Sequence, residues 1–308
     1  MAVRAETFGR RRVRTASSWV DRHIPWLLVS PAVLIIVALT IFPLLFSIWV
    51  SFVQFDFSVS NDHPWVGLDN FKTVWQDPVW VHSLWLTALI ATVAVVVELS
   101  IGFLLALAML RPFPGRRALM VLFVIPLFIS PVIVGGFFDL FLRRPFGPAD
   151  WLLGGLLGHP VTIDFTVDRW WPFVSILLAD AWQWTPFMFV ILLAGLAAIP
   201  DELYEATEID GAAPRQSFFF VTLPLLTPII LIAITFRFID ATKLFDIIYS
   251  LTRGGPGTET YTSSYFLYQQ GFQFFHLGEG TAGAWMFTIM LTFVSFWLVR
   301  RLLRPVEA

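Results

Sequence analysis

Between Arg22 and Asp56 the chain carries no Asp, Glu, Lys or Arg. That run is longer than the roughly 20 apolar residues that cross a bilayer. Backbone amides in lipid have no water to bond, so the run must satisfy them internally as a helix. The rest of the chain repeats the pattern. It is 57% hydrophobic and 14% charged over 308 residues, outside the range of soluble domains. Mean hydropathy is +0.75.

The apolar runs predict an all-α integral membrane protein with six transmembrane helices. They fall at about 25–53, 82–110, 118–142, 171–199, 223–250 and 281–301, all within a transmembrane domain at 25–305 that follows a basic N-terminus at 1–24. Prolines such as Pro31, Pro43, Pro126, Pro131, Pro186 and Pro228 lie inside these runs; neighbouring helices can repack the carbonyls they free. Basic residues set the expected orientation. Arg4, Arg10, Arg11, Arg12, Arg14 and Arg22 precede the first run, Arg111, Arg116 and Arg117 follow the second, and Arg300, Arg301 and Arg304 close the chain. Positive charge is retained in the cytoplasm, which predicts N-in and C-in. Arg143, Arg144 and Arg169 oppose that bias and are outnumbered. The first apolar run is too long for a cleaved signal, so an uncleaved first span is expected.

Several function classes are excluded early. There are no cysteines, so disulfides and thiolate chemistry are absent. A phosphate-binding loop needs Gly-Lys-Ser/Thr, and neither lysine, Lys72 or Lys243, follows a glycine. The five histidines form no His-Glu-x-x-His. Net charge is −2 without a nucleic-acid patch. The loops carry the remaining detail. Segment 54–81 predicts a small interfacial helix with Phe71, Val74 and Trp75 on its apolar side. Segment 144–170 is rich in Gly, Pro and Trp, and 251–280 opens on a Gly-Pro turn and continues with aromatics.

Two charged segments stand out against this background. The first is EATEIDGAAPRQSFFFVTLPLLTP from Glu205 to Pro228, polar and acidic between two apolar runs. Pro200 suits a helix start, with Asp201 and Glu202 in the first turn where the dipole favours anions. Gly211 then lets the chain turn and Pro214 can open a second short helix before Pro224. The expectation is a rigid two-helix knob over 200–222. The second is FRFIDATKLFD in the fifth run, with Arg237, Asp240, Lys243 and Asp246 three residues apart, an expected single helix face. Charge at membrane depth must face protein or water. Glu98, Asp180 and Asp139 are further intramembrane carboxylates. Either these groups pair internally and hold the bundle, or they line a path for a hydrophilic substrate.

The spacing of Glu205, Ala206, Asp210, Gly211, Ala212, Phe218, Leu223 and Pro224 resembles the coupling loop of ABC-transporter permeases. Thr207 departs from the usual third alanine, and Arg215 from a common aromatic. The span-five pattern followed by LTRGGPGTET is similar to permeases of the maltose type, on the MalF-like rather than the MalG-like side. This resemblance implies an importer subunit for a sugar, oligosaccharide or glycerol phosphate, non-catalytic in itself. Its implied partners are a second, MalG-like permease, two copies of a cytoplasmic ATP-binding subunit that hold ATP and Mg, and an external substrate-binding protein. The chain itself would bind no cofactor. Glu205, Ala206, Asp210, Gly211, Ala212 and Pro224 would then couple to the ATPase. Asp180, Trp184 and Phe187 on the fourth span, and Arg237, Asp240, Ala241 and Leu244 on the fifth, would line the sugar path. An ion-coupled carrier using the Arg237–Asp246 ladder is the alternative, although no internal repeat accompanies it.

Overall fold

A computed structural model of the chain describes residues 18–56, 62–145, 147–159 and 163–302. The arginines Arg4, Arg10, Arg11, Arg12, Arg14 and Arg304 lie outside them, as does most of the basic segment 1–24. Among the described residues the protein is helical, with two isolated bridges, Val53 to Trp65 and Asp56 to His276, as its only extended pairing. Residues up to Trp49 and those from Val50 form two compact units. The first is the body of α1 (Ser18–Ser51), a helix containing Pro25, Pro31 and Pro43. Ser30 and Ser47 return their hydroxyls to the carbonyls of Leu27 and Leu44, which satisfies them without water.

The second unit contains α2 (Asp69–Gln76), α3 (Pro78–Ala108), α4 (Arg116–Val124), α5 (Pro131–Leu142), α6 (Pro148–Leu157) and α7 (Trp171–Ala197). It continues with α8 (Asp201–Ile209), α9 (Pro214–Ser217), α10 (Leu223–Ala241), α11 (Ser263–Tyr268) and α12 (Leu277–Leu302). Five helices of the described chain are long and apolar enough to cross a membrane: His23–Ser51, Pro78–Ala108, Trp171–Ala197, Pro214–Ala241 and Leu277–Arg300.

The third expected span is not a continuous helix. Arg116–Phe128 and Pro131–Leu142 meet at 99°, so the count is six only if this bent pair is one span. The cause is local. Pro131 opens α5, and a residue before proline is driven out of the helical region; Ile129 and Ser130 have ψ of 136° and 134°. The break frees the Ile129 carbonyl at a half-buried position. Gln183 of α7, itself buried, donates Nε2 to it at 2.7 Å.

Span boundaries also shift. The second begins at Pro78, where the Asp77 carboxylate accepts from Val79 N at 2.7 Å as a helix cap. At its far end Arg116 Nε donates to the Met109 carbonyl at 2.6 Å, so one arginine counted for topology also caps α3. The fifth ends at Ala241 rather than 250. There Lys243 N and Leu244 N bond the carbonyls three residues back, a tightened last turn, and a separate π-helical turn follows at Ile248–Thr252. The last starts at Leu277, and α6 occupies the segment read as loop at 144–170. In α2, Val74 is buried, Phe71 is half-buried and Trp75 is exposed. Buried Asn70 instead faces inward, donating to the Ser51 and Val53 carbonyls.

α3 and α7 form the spine. Their first halves share one core cluster through Leu86, Ile90, Ile176 and Ala179. Their second halves share another through Ala106, Met109, Leu192 and Leu196, so the two run parallel. Close approach depends on Gly102: a Cβ there would lie 2.7 Å from Met188 Cβ and 2.9 Å from Phe189 N, so any larger residue would force the helices apart. α10 joins the second cluster through Leu226, Ala233 and Ala241. A third cluster, Val74, Trp80, Phe266 and Phe287, ties α2, α3, α11 and α12 together.

Candidate functional site

The acidic segment forms an elbow. α8 ends at Ile209, and Gly211 takes φ +72°, a conformation that costs a β-carbon-bearing residue about 1–2 kcal/mol. Gly211 N bonds the Glu208 carbonyl at 3.1 Å and Ala212 N bonds the Thr207 carbonyl at 2.9 Å. This is the Schellman closure, which satisfies the last carbonyls of α8 as the chain reverses. Gln216 Oε1 accepts from Ala213 N at 2.7 Å and fixes the entry to α9.

Two details differ from the sequence expectation. Pro200 sits one residue before the helix, in extended conformation, rather than at its first position. The second arm is not a separate short helix. It runs helically from Pro214 into α10, through a π-helical turn at Phe218–Thr222 that lets the chain pass Pro224, which has no N–H to donate. The elbow's second arm is thus continuous with a membrane span.

Side chains lock the two arms. Thr207 Oγ1 lies 2.8 Å from Ser217 Oγ, and Tyr204 Oη lies 3.1 Å from Thr222 Oγ1. Thr207, the departure from the expected alanine, is the residue whose hydroxyl makes the cross-link. Around the elbow Glu202, Glu205, Ala206, Glu208, Ile209, Asp210 and Gly211 are exposed, and Ala212 is half-buried. Replacing Thr207 with Val should destabilise the elbow by about 1 kcal/mol, the net value of such a bond. A double-mutant cycle with Ser217→Ala, read by thermal unfolding, should return a coupling of the same size.

Three carboxylates, Glu98, Asp180 and Asp240, converge on one guanidinium. Arg237 of α10 is 1% exposed; its Nε donates to Glu98 Oε2 at 2.7 Å and its Nη2 to Glu98 Oε1 at 2.9 Å. The same Nη2 donates to Asp180 Oδ2, and Nη1 reaches Asp240 Oδ2 at 3.2 Å. Glu98 and Asp180 are fully enclosed, whereas the Asp240 side chain is half exposed. The indole of Trp184 covers the guanidinium, 5.0 Å from Cζ to the ring centroid. Removing these groups from water is expensive, and the forked, bidentate geometry offsets that cost. The knot therefore pins α3, α7 and α10 to one another.

Of the expected path residues, Asp180, Trp184, Arg237 and Asp240 meet here. Phe187 is half-buried, with its ring 6.2 Å from Trp184. Ala241 and Leu244 are buried in separate apolar clusters. The four-charge helix face does not exist, because α10 stops at Ala241; Lys243 lies beyond its end and is exposed, and Asp246 lies further on. Glu98 is the principal partner that the site expectation left out. Its signal was present: a lone acid in an apolar run needs a buried cation. Arg143 and Arg144, which opposed the charge bias, pair with Asp139 and Asp150.

Apolar helices long enough to cross a membrane, an ion-pair knot that joins three of them and an exposed acidic elbow define a multi-pass membrane protein. The family model described as binding-protein-dependent transport system inner membrane component matches residues 98–307, and the chain belongs to that family. It is 33% identical to the trehalose/maltose transport system permease protein MalF of Thermococcus litoralis, over 90% of this chain and 93% of the relative. It is 34% identical to the sulfoquinovosyl glycerol transport system permease protein SmoG of Agrobacterium fabrum, over 85% and 84%. Among solved structures, a bacterial alginate ABC transporter in complex with an alginate pentasaccharide-bound periplasmic protein superposes with a TM-score of 0.79 at 22% identity. The match covers 95% of this chain and 99% of that one, and it shows a shared fold. The protein is accordingly a permease subunit of an ABC importer, located in the plasma (inner) membrane.

Proposed function

We propose that this chain forms half of the translocation path of an ATP-driven importer for a sugar or related carbohydrate. The observation that carries the proposal is the closed elbow at Gly211: a polar, acidic, cross-linked projection whose second arm is continuous with α10. A movement imposed on the elbow is carried along that helix to Arg237 and Asp240. Both termini and the elbow face the cytoplasm, and the elbow seats in a cleft of an ATP-binding subunit. Glu205 and Asp210 meet basic groups there, while Ala206, Gly211 and Ala212 keep the contact close; Pro224 marks the entry to the span. The assembly contains a second, MalG-like permease, two ATP-binding subunits that hold ATP and Mg, and an external binding protein. No cofactor or reaction belongs to this chain.

The sugar reading rests on the relatives and on the chemistry at the end of α10. Trp184, Phe187 and the half-exposed Asp240 offer aromatic faces beside a carboxylate that accepts hydroxyl hydrogen bonds. Arg237 and the enclosed Asp180 position them rather than touch substrate.

Co-purification of the complex and uptake in proteoliposomes test this. Trp184→Ala and Asp240→Ala should each lower uptake by a factor corresponding to about 1–3 kcal/mol, with assembly intact. Asp180→Ala should instead lower the thermal stability of the complex. Full transport by a homo-oligomer lacking any ATPase would overturn the proposal.

A further inference from the structure

Beyond the end of α10 the aromatic residues of two segments form one continuous ladder. Phe245 stacks on Tyr249, centroids 5.5 Å apart with planes at 28°. Tyr249 meets Tyr268 edge to face at 5.6 Å, and Tyr268 stacks on Phe272 at 5.7 Å and 22°. Phe245 also meets Tyr268 directly at 5.0 Å, so three rings from two stretches of the chain pack against one another and Phe272 extends the row. Tyr249 and Phe272 are 44% and 69% exposed, so the ladder is a surface and not only core.

Its polar groups are held in place. Gln273 donates Nε2 to Tyr268 Oη at 2.9 Å, which orients an exposed amide beside the rings. Aromatic faces beside amide and phenol groups suit a polyhydroxylated ring, which offers C–H faces to the aromatics and hydroxyls to the amide.

Along the chain the ladder directly follows the site described above. Asp240 lies one residue before the end of α10, and the turn through Lys243 and Leu244 leads directly into Phe245. Thr262, the cap of α11, donates its hydroxyl to the Leu244 carbonyl at 2.8 Å, which fixes the second segment against the first.

We propose that Phe245, Tyr249, Tyr268 and Phe272, with Gln273, form a saccharide-binding shelf that holds the sugar before it reaches Trp184 and Asp240. The shelf rests on the sugar reading of this importer. The other uses of such a surface are an aromatic belt at the lipid interface and a docking face for the binding protein.

Uptake of radiolabelled trehalose and maltose by the assembled importer, at saturating binding protein, tests the shelf. Tyr249→Ala and Phe272→Ala should each raise KM by roughly three- to tenfold, the order of what one stacked ring contributes. Basal ATP hydrolysis and thermal midpoint should stay at wild-type values, and Tyr249→Phe and Phe272→Tyr should restore KM. Phe272→Leu keeps an apolar side chain at an exposed position and should show the same defect if Phe272→Ala assembles poorly. Unchanged KM in Phe272→Leu and Tyr249→Ala overturns the shelf while leaving the sugar reading in place. A defect matched by a higher binding-protein concentration for half-stimulation also overturns it, in favour of a docking face. A wild-type complex that carries no saccharide in a panel extended to longer maltodextrins, glycosyl glycerols and acidic oligosaccharides removes the sugar reading, and the shelf with it.

Discussion

Replacing Arg237 with Met should cost the folded protein about 3–5 kcal/mol, because Glu98 and Asp180 would remain enclosed with no cation between them. Thermal or denaturant unfolding in detergent measures the loss. The apolar replacement of the whole knot is the informative control. Arg237→Met combined with Glu98→Leu and Asp180→Leu should recover most of that stability, since the desolvation cost disappears together with the pairing. Asp240→Asn should change stability little, as that carboxylate is half exposed and its pairing is screened by water. Equal losses in the single and triple replacements would show that packing, not charge, holds α3, α7 and α10 together.

Gly211→Leu should reduce substrate-stimulated ATP hydrolysis of the assembled importer by roughly a hundredfold, the scale set by a small displacement of coupled groups. Its φ of +72° disfavours any side chain with a Cβ, so the Schellman closure would open and the two arms would separate. Nothing lies within 4 Å of the position a Cβ would take, so within this chain the strain is in the backbone and not in a steric clash. Gly211→Asn therefore separates the two causes. Asn tolerates the left-handed region, and this variant should retain most of the stimulation if strain is the reason. Membrane insertion should be normal in both. Wild-type stimulation in Gly211→Leu would remove the elbow from the coupling role.

Much of the site was legible because the cues are local. Gly211 and Pro214 marked a turn, and Asp201 and Glu202 a helix start, from backbone preferences that act within a few residues. The cross-link was not legible. Thr207 looked like a departure from a pattern, and only its distance from Ser217 gives the hydroxyl a task. The second arm was misjudged for a related reason: Pro224 marks a boundary in sequence, whereas a π-helical turn carries the helix past it. The same holds for the third span, where Pro131 was judged tolerable and in fact turns the chain by 99°.

The sequence by itself determined that this protein lies in the membrane, is helical, and must bury the charges it carries at depth. These follow from hydrophobic length and from the cost of unsatisfied backbone and charge in lipid, which every fold of the chain would face. Only the tertiary structure decided the pairing. Glu98 and Arg237 are 139 residues apart in sequence, and no local preference selects one acid among several. Spacing suggested a stripe of charge along one helix. The close packing of α3 against α7 and the end of α10 at Ala241 instead brought Glu98, Asp180 and Arg237 together in a knot shared by three helices.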